Sequence, residues 1–455
     1  MAHLLRVSNN GDAVGLLGFD APADKYTFAY DPNWLRSKQA FSLSPHIALR
    51  GGEPAAGAVQ RFIANLLPEG RALDVASYMF QVSKSNTFGL IRMLGKEPVG
   101  ALSFLALDDD APGDEAPRKA QVLEPIRRVI ANEELTERIR DRDAVPFPVW
   151  DGKVRLSVAG YQDKLQVMVE GEQLALVEGS LSSTHILKPE SRSHLSPCMV
   201  ANEHFCMTLA RRMGLPVAPV ELRRIPEPIL LIERFDRIVK TDPDSPGRIK
   251  QVLRRHVIDG CQALDLPVSF KYERNFGNTL DVQNIREGVS FQKLFSLVPH
   301  FDLPAAATTF LVRWAILQLL IGNSDAHGKN VSFFVQGRTI RPAPLYDLVS
   351  VNVYGDHVEQ DMAMAYGDAF RLEEVTAFEL AAFAHRTGTR PAFLARELKR
   401  MATMALDLAP KQASADLYIG EERALVKEVS DFICTQATHL LKWAPMVPKV
   451  DTKLL

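Results

Sequence analysis

The sequence is poor in cysteine and has no segment typical of export or membrane insertion. Its four cysteines are widely scattered without a Cys-x-x-Cys pair, which argues against a disulfide framework and a zinc motif and favours reduced core thiols in a cytoplasmic protein. The first residues lack the apolar region of a signal peptide. The longest apolar helical run, 310–321, is too short to span a bilayer and contains Arg313, so no membrane contact is expected.

The chain also lacks a strong net charge and any repeat with a period typical of repeat proteins. Its 53 basic and 55 acidic residues give a net charge of −2, so the bulk field does not favour nucleic acid or membranes. The length of 455 residues is enough for two or three domains with sizeable cores.

The pattern of short strands and helices predicts an α+β protein with a mixed first half and a helical second half, which suits a two-lobed enzyme with a cleft. The predicted domains are 1–144, 145–250 and 251–455, and an acidic stretch at 108–115 is predicted to be an exposed loop or linker. Asn10-Gly11 between alternating segments predicts a β-hairpin. Residues 240–250, with Pro243, Pro246 and Gly247, are predicted to be a loop.

The remaining elements follow from apolar periodicity. Predicted strands include 4–8, 13–19, 41–45, 99–105, 154–158, 165–170, 173–177, 184–188, 217–222, 229–232 and 331–335. Predicted helices include 58–67, 86–93, 199–213, 291–298, 305–321, 373–385, 392–406 and 421–441.

An acid, two basic side chains and an amide are crowded into residues 322–330, between an apolar helix and a strand. Protein kinases place a catalytic Asp, an Asn five positions later and a metal-binding Asp on a following loop. Asp325, Asn330 and Asp347 have that order and that first spacing. Asp325 suits the orientation of an acceptor hydroxyl, Asn330 and Asp347 suit a metal, and His327 or Lys329 suits a phosphate contact. A polar loop that caps a helix would explain Asp325 in isolation, and a turn cap would explain Asp347.

Three further segments fit a nucleotide site, although each also has an ordinary structural explanation. Lys188 on a strand and Glu203 on an apolar helix stripe each require a partner, and either a mutual ion pair or separate local partners would satisfy them. Residues 157–164 lie where a phosphate-covering loop belongs, but with one glycine they match neither common glycine-rich motif and also suit a hairpin. Residues 232–237 suit either an adenine-binding segment or a charged strand end.

Taken together, these motifs resemble the HipA family, the serine/threonine-kinase toxins of bacterial HipA–HipB modules. The resemblance lies in the phosphate loop 157–164, the lysine strand 184–188 with Asn202-Glu203 after it, the hinge 233–237, the catalytic loop 325–330 and Tyr346-Asp347. Residues 66–69 and 95–102 resemble the family's extra N-terminal subdomain. The similarity runs from near residue 4 into the C-terminal helices.

The resemblance implies a two-lobed, protein-kinase-like fold, ATP and Mg²⁺, and phosphoryl transfer to a protein hydroxyl. It assigns Asp325 as catalytic base, Asn330 and Asp347 as metal ligands, Ser157 as an inhibitory autophosphorylation site, and Glu203 as the ion-pair partner of Lys188. The implied nucleotide-binding residues are Ala159, Gly160, Tyr161, Gln162, Asp163, Lys164, Lys188, Glu233, Arg234, Phe235, His327, Gly328, Lys329, Asn330, Tyr346 and Asp347.

The implied partners are a HipB-like helix-turn-helix antitoxin, operator DNA contacted mainly through that antitoxin, and a protein substrate such as glutamyl-tRNA synthetase. Two other classes are compatible with parts of the sequence: a small-molecule or lipid kinase, and a non-catalytic corepressor. The complete set Lys188, Asp325, Asn330 and Asp347 argues against the corepressor, because a binding module does not need it.

Overall fold

The computed structural model describes residues 3–107, 124–155 and 162–455, and its contacts divide the chain into two compact units. The first unit comprises Met1–Pro189, Arg223–Ile258 and Phe334–Thr339, and the second comprises Glu190–Leu222, Asp259–Phe333 and Ile340–Leu455. The predicted division at residues 144 and 250 is not tested by this partition and stays a prediction.

The first unit begins with a four-stranded antiparallel sheet. Asn10 and Gly11 have φ angles of 50° and 95°, which confirms the predicted turn, because a type I′ hairpin needs positive φ at both central residues. The strands, in spatial order, are Lys25–Tyr30, Asp12–Asp20, His3–Asn9 and Leu102–Ala106. The accompanying helices are Pro32–Arg36, Ala58–Ala64, Gly70–Phe80 and Thr87–Leu94.

A six-stranded sheet follows, and it carries the predicted lysine strand near its centre. In spatial order its strands are Val220–Ile225, Glu227–Glu233, His185–Pro189, Leu165–Glu170, Gln173–Glu178 and Ile126–Ile130. The helix Asn132–Arg140 places Leu135 and Ile139 in a core shared with Phe147, Trp150 and Leu187. Val149–Trp150 pairs with Lys153–Val154 as a small ribbon.

The predicted loop at 240–250 is wrong, because this segment belongs to an antiparallel hairpin. Arg237–Asp242 pairs with Ser245–Arg254, and Pro243 lies in the turn between them. Ile249 and Val252 are buried in an apolar cluster with Met168. The Pro and Gly residues are therefore compatible with a ribbon that has two strands among the described residues, because prolines are tolerated in turns and on edge strands.

The predicted strands at 41–45 and 99–105 also need correction. Residues 41–43 are irregular, and a single bridge between Ser44 and Ile47 closes a turn after them. The hydroxyl of Ser42 accepts a hydrogen bond from the backbone N–H of Leu49. Such local side-chain hydrogen bonds compete with strand pairing. The strand predicted at 99–105 begins only at Leu102, because Gly100 adopts a φ of 81° that an extended strand does not allow.

The second unit is mostly helical, as predicted. Its main helices are Met199–Arg212, Phe291–Ser296, Pro304–Ile321, Ala377–Arg386, Pro391–Ala413 and Glu421–Trp443. Among the described residues, Pro304–Ile321 is the one helix that is long and apolar enough to cross a membrane, and 67% of it is buried within the protein. Arg313 on this helix pairs with Glu397 at 2.8 Å, so the helix is a core element of the second unit.

Three short strands complete the fold, and one of them follows the polar turn at 322–330. Val257–Asp259, Ser332–Gln336 and Thr339–Pro342 form one sheet with Ser332–Gln336 in the centre. Residues 322–330 thus connect the helix Pro304–Ile321 to the strand Ser332–Gln336, which confirms the predicted helix, turn and strand order.

Candidate active site

The turn at 322–330 begins where the buried helix ends. Gly322 has φ 61° and ψ 48°, the left-handed conformation that terminates helices, and a Cβ there would lie 2.5 Å from the ring of Phe432. The backbone N–H of Asn323 donates to the carbonyl of Gln318 at 3.1 Å, and its side-chain amide donates to the Gln318 side chain at 3.0 Å. Residue 322 must therefore be glycine for both steric and conformational reasons.

Asp325 is exposed at the tip of this turn, whereas its neighbours are buried. The side-chain amide of Asn330 donates to the backbone carbonyl of Asp325 at 2.9 Å, which fixes the two predicted functional residues in one closed loop. The carboxylate of Asp325 accepts a hydrogen bond from the hydroxyl of Tyr272 at 2.5 Å. An exposed, oriented carboxylate is the group that phosphoryl transfer requires near an acceptor hydroxyl.

His327 and Lys329, although both basic in type, differ in charge and in surroundings. Burial and the nearby ammonium of Lys271 lower the pKa of His327 to about 3, so its ring is neutral at physiological pH. The ammonium of Lys329 is 2.6 Å from Asp259 and its side chain is only 3% exposed. His327 therefore offers a neutral imidazole, and Lys329 has a structural ion pair with the start of the helix Gly260–Ala263.

Tyr346 and Asp347 lie beside this turn. The hydroxyl of Tyr346 donates to the carbonyl of Lys329 at 2.6 Å and is 2.7 Å from the hydroxyl of Ser332, and burial raises the pKa of Tyr346. Asp347 has a φ of 56°, a left-handed conformation that is uncommon for a residue other than glycine. The side-chain amide of Asn323 donates to the backbone carbonyl of Asp347 at 3.4 Å. Asp and Asn adopt this left-handed conformation more readily than other residues with a side chain.

The donor atoms in this region fit Mg²⁺ better than a transition metal. Asn330 uses its amide N–H on Asp325, which leaves its side-chain oxygen for a metal, and Asp347 contributes a half-exposed carboxylate. The described ranges contain no cluster of three or more His, Cys, Asp or Glu side chains suited to a metal. Mg²⁺ commonly uses one or two protein oxygens together with phosphate and water, so two such ligands are sufficient.

The predicted nucleotide residues of the first unit are only partly described. Ser157, Ala159, Gly160 and Tyr161 lie outside the described residues. Gln162, Asp163 and Lys164 precede the strand Leu165–Glu170, and Asp163 is 3.5 Å from the guanidinium of Arg142. Lys164 and Lys188 are both buried, the second on the strand His185–Pro189.

Glu203 is buried on the helix Met199–Arg212 of the second unit, whereas Lys188 belongs to the first unit. Asn202, the residue before Glu203, exchanges two hydrogen bonds with the backbone of Ser350, at 3.0 and 2.8 Å. These bonds connect the helix to the segment that follows Asp347. The ion pair between Lys188 and Glu203 stays a prediction.

The predicted hinge, 233–237, is anchored by side chains that the sequence pattern did not assign to one another. Glu233 is exposed and Phe235 packs edge-on against Phe334 with ring centroids 5.9 Å apart. The guanidinium of Arg234, a predicted nucleotide ligand, is buried and donates to Asp236 at 3.0 and 2.9 Å. The backbone N–H of Arg234 donates to the carbonyl of Thr184 at 2.9 Å.

Asp236 is the centre of a buried ion-pair network. It accepts hydrogen bonds from Arg234, from Arg237 at 2.8 Å and from the backbone N–H of Gly100 at 2.8 Å. Burial opposes its ionisation, but the two guanidinium groups hold the pKa of Asp236 well below its usual range. Glu97 contacts Arg237 at 3.2 Å from the other side, so the network joins residues 97–100 to the hinge.

Asp236→Asn is expected to destabilise the first unit by about 3 to 5 kcal/mol, because it leaves buried guanidinium groups without their carboxylate. The measurement is the thermal unfolding midpoint near neutral pH. Because the folded-state pKa is lowered, the contribution of Asp236 is present above its unfolded pKa and is lost as pH falls. The control is Asp74→Asn, which removes an exposed pair with Lys84 and should leave the midpoint nearly unchanged. Equal midpoints for the two variants would contradict the assigned role of the network.

Sequence reasoning missed Tyr272, Lys271, Asp259 and Glu97. Tyr272 is 53 positions from Asp325, with which it forms its hydrogen bond, and the surrounding residues 268–290 contain only one short 3₁₀ turn. No periodicity or spacing in such a segment indicates that Tyr272 contacts Asp325. The Lys271-Tyr272 pair was therefore visible only in the folded chain.

The comparisons with known proteins identify the family of the chain. Residues 5–105 match the HipA N-terminal domain, and residues 156–409 match the HipA-like C-terminal domain. The chain is 44% identical over 390 residues to a protein of Shewanella oneidensis named serine/threonine-protein kinase toxin HipA, covering 86% of this chain and 84% of that protein. It is 32% identical to a putative kinase, Y4mE, of Sinorhizobium fredii, covering 92% and 94% of the two chains.

Among solved structures, the chain is similar to HipA in a complex of Shewanella oneidensis HipA, HipB and their operator DNA. The TM-score is 0.84 with 39% identity, over 98% of this chain and 100% of that chain. The family resemblance seen in the sequence and the expected kinase-like fold are thereby confirmed. This protein belongs to the HipA family and has its kinase-like fold.

Proposed function

We propose that this protein is the toxin kinase of a bacterial toxin–antitoxin module and transfers the γ-phosphoryl group of ATP to a serine or threonine hydroxyl of a protein. The observation that carries the proposal is the single loop that holds Asp325 and Asn330 together, with Asp347 beside it in a left-handed conformation. A small-molecule or lipid kinase would use the same parts, and the kinase toxin is favoured because a relative with 44% identity bears that name.

In the proposed reaction, Asp325 orients the acceptor hydroxyl and receives its proton. Asn330 and Asp347 would hold Mg²⁺, which when bound neutralises charge on the phosphates. Lys188 would bind the nucleotide phosphates and Glu203 would orient Lys188. Residues 159–164 would cover the phosphates, and the backbone of 233–235 would bind the adenine. Since the Arg234 guanidinium is engaged with Asp236, we assign it to holding this segment.

The proposed protein substrate is an aminoacyl-tRNA synthetase, of which glutamyl-tRNA synthetase is the first to test. The proposed partner is a HipB-like antitoxin, because a structural relative was solved with HipB and operator DNA. The net charge of −2 suits a protein that contacts DNA mainly through its partner. The proposed location is the cytoplasm, where ATP, the synthetases and the operator are found.

The test of the proposed function is phosphoryl transfer by the purified full chain. The protein is incubated with γ-labelled ATP and Mg²⁺, with and without glutamyl-tRNA synthetase, and the sites are mapped by mass spectrometry. Label on protein serine or threonine, absent with Asp325→Asn, supports the proposal. Transfer only to small molecules or lipids, or no transfer, would contradict it.

Autophosphorylation is expected at Ser157 and is expected to silence the enzyme. A phosphate adds nearly two negative charges at the mouth of the proposed phosphate loop, where they repel the phosphates of ATP. Titration of the phosphorylated protein should show ATP affinity at least about tenfold weaker than that of the unphosphorylated protein. Ser157→Ala is the control and should keep full affinity after the same incubation. Unchanged affinity of the phosphorylated protein would reject the switch and leave the kinase assignment intact.

A further inference from the structure

The hydroxyl of Tyr272 contacts the carboxylate proposed as the base. Its distance of 2.5 Å to Oδ1 of Asp325 lies in the range of a charge-assisted hydrogen bond from a hydroxyl to a carboxylate. One oxygen of the proposed base therefore accepts a hydrogen bond from a residue of the protein itself. Nothing in the sequence motif of the loop requires such a partner.

The ring of Tyr272 packs against the loop that carries Asp325. It packs edge-on against His327, with centroids 5.0 Å apart and planes at 85°. The ammonium of Lys271 lies 5.4 Å from the centroid of the Tyr272 ring. Since the ring of His327 is neutral, it packs against Tyr272 without a charge that would compete for the hydroxyl.

The backbone on both sides of Tyr272 is also fixed. The carbonyl of Lys271 accepts a hydrogen bond from the N–H of Gly328 at 2.9 Å. A Cβ at Gly328 would lie 2.5 Å from the side chain of Val289, so the loop is in close contact with the segment that carries Tyr272. The next residue, Glu273, is buried and accepts from the backbone N–H of Ala365 at 2.8 Å.

Two roles are compatible with a hydroxyl on the base. Tyr272 can occupy the place of the acceptor and thereby block the site, or it can hold the carboxylate in one orientation. A blocking group has to leave when substrate binds. Because the ring packs against His327 and the flanking backbone bonds to Gly328 and Ala363, departure would break many contacts at once. The geometry favours a permanent support.

We propose that Tyr272 is a positioning residue that, through its hydrogen bond to Oδ1, holds the carboxylate of Asp325 in one orientation toward the acceptor hydroxyl, an inference that rests on the proposed kinase function. During transfer, a bond forms between the acceptor oxygen and the γ-phosphorus, and the bond from that phosphorus to the ADP oxygen breaks. The acceptor proton moves to the carboxylate of Asp325, while Tyr272 keeps its own proton. Tyr272 acts only through Asp325 and does not touch the nucleotide.

The test is Tyr272→Phe in the full chain, which keeps the edge-on ring and removes the hydroxyl. The maximal rate of transfer at saturating Mg-ATP should fall roughly tenfold or more, because small misplacements of a catalytic group are costly, and the ATP concentration for half-maximal rate should change less than about twofold. The matched control is Tyr366→Phe, which removes a buried hydroxyl bonded to the carbonyl of Ala315 at 2.6 Å in the same unit. This control should keep the wild-type rate.

A double variant separates positioning from a general structural effect. If Tyr272 acts through Asp325, adding Tyr272→Phe to Asp325→Asn should lower the residual rate no further, because the carboxylate to be positioned is already gone. Additive losses would overturn the inference, as would a wild-type rate in Tyr272→Phe. A faster Tyr272→Phe enzyme would show that the hydroxyl blocks the acceptor place instead. Each of these outcomes requires an active wild-type enzyme, so failure of the proposed function itself is recognised separately.

Discussion

Asp325→Asn is expected to lower the rate of phosphoryl transfer by about 100-fold or more while ATP binding stays within about twofold of wild type. The substitution keeps the shape of the side chain, and an amide oxygen can still accept from the Tyr272 hydroxyl. It removes the negative charge that orients the acceptor hydroxyl and receives its proton. Because Asp325 is exposed at the tip of its loop, the loss should be chemical and the fold should remain intact.

The matched control for this variant is Asp407→Asn. Asp407 is also an exposed carboxylate, paired with the ammonium of Lys411 at 2.5 Å, and it lies on the helix Pro391–Ala413 of the same unit. Both variants should unfold at the wild-type temperature, and only Asp325→Asn should lose transfer. Wild-type transfer by Asp325→Asn would remove Asp325 from the mechanism and would require another base.

The parts of the fold that the sequence predicts well are those with strong local signals. Asn10-Gly11 specifies its hairpin because few residues tolerate positive φ. The helix Pro304–Ile321 was recognised from its apolar length, and the strand Leu165–Glu170 has the predicted bounds because turn residues follow it. Asp325 and Asn330 were assigned to one loop from their spacing, and the hydrogen bond between them agrees with that spacing.

The parts that sequence reasoning did not reach depend on contacts between distant segments. The hairpin Arg237–Asp242 with Ser245–Arg254 contains two prolines and a glycine, and burial of Ile249 and Val252 against Met168 outweighs those local signals. The resemblance assigns Arg234 to the nucleotide site as part of the hinge, and nothing in that motif indicates that its guanidinium pairs with Asp236. Gly100, which completes that network 136 positions away, has no local signature of this role.

The second large effect is expected at the proposed metal ligand. Asp347→Asn should lower the rate of phosphoryl transfer by about 100-fold at a Mg²⁺ concentration that saturates the wild type. Asparagine tolerates the left-handed conformation that Asp347 adopts, with φ 56°, so the backbone cost is small. The amide keeps an oxygen ligand but loses the charge, and Mg²⁺ affinity should fall.

Magnesium dependence distinguishes this role from that of the base. A weakened ligand is partly compensated by mass action, so a higher Mg²⁺ concentration should restore part of the rate of Asp347→Asn and none of the rate of Asp325→Asn. The control is Asp265→Asn, because Asp265 lies in the same unit and also has φ 56°, so it reproduces the same substitution in the same backbone conformation. It should transfer phosphate at the wild-type rate with the wild-type magnesium dependence. If Asp347→Asn were equally slow at every Mg²⁺ concentration, with unchanged binding of Mg-ATP by calorimetry, Asp347 would act on the reacting groups and would not be a metal ligand.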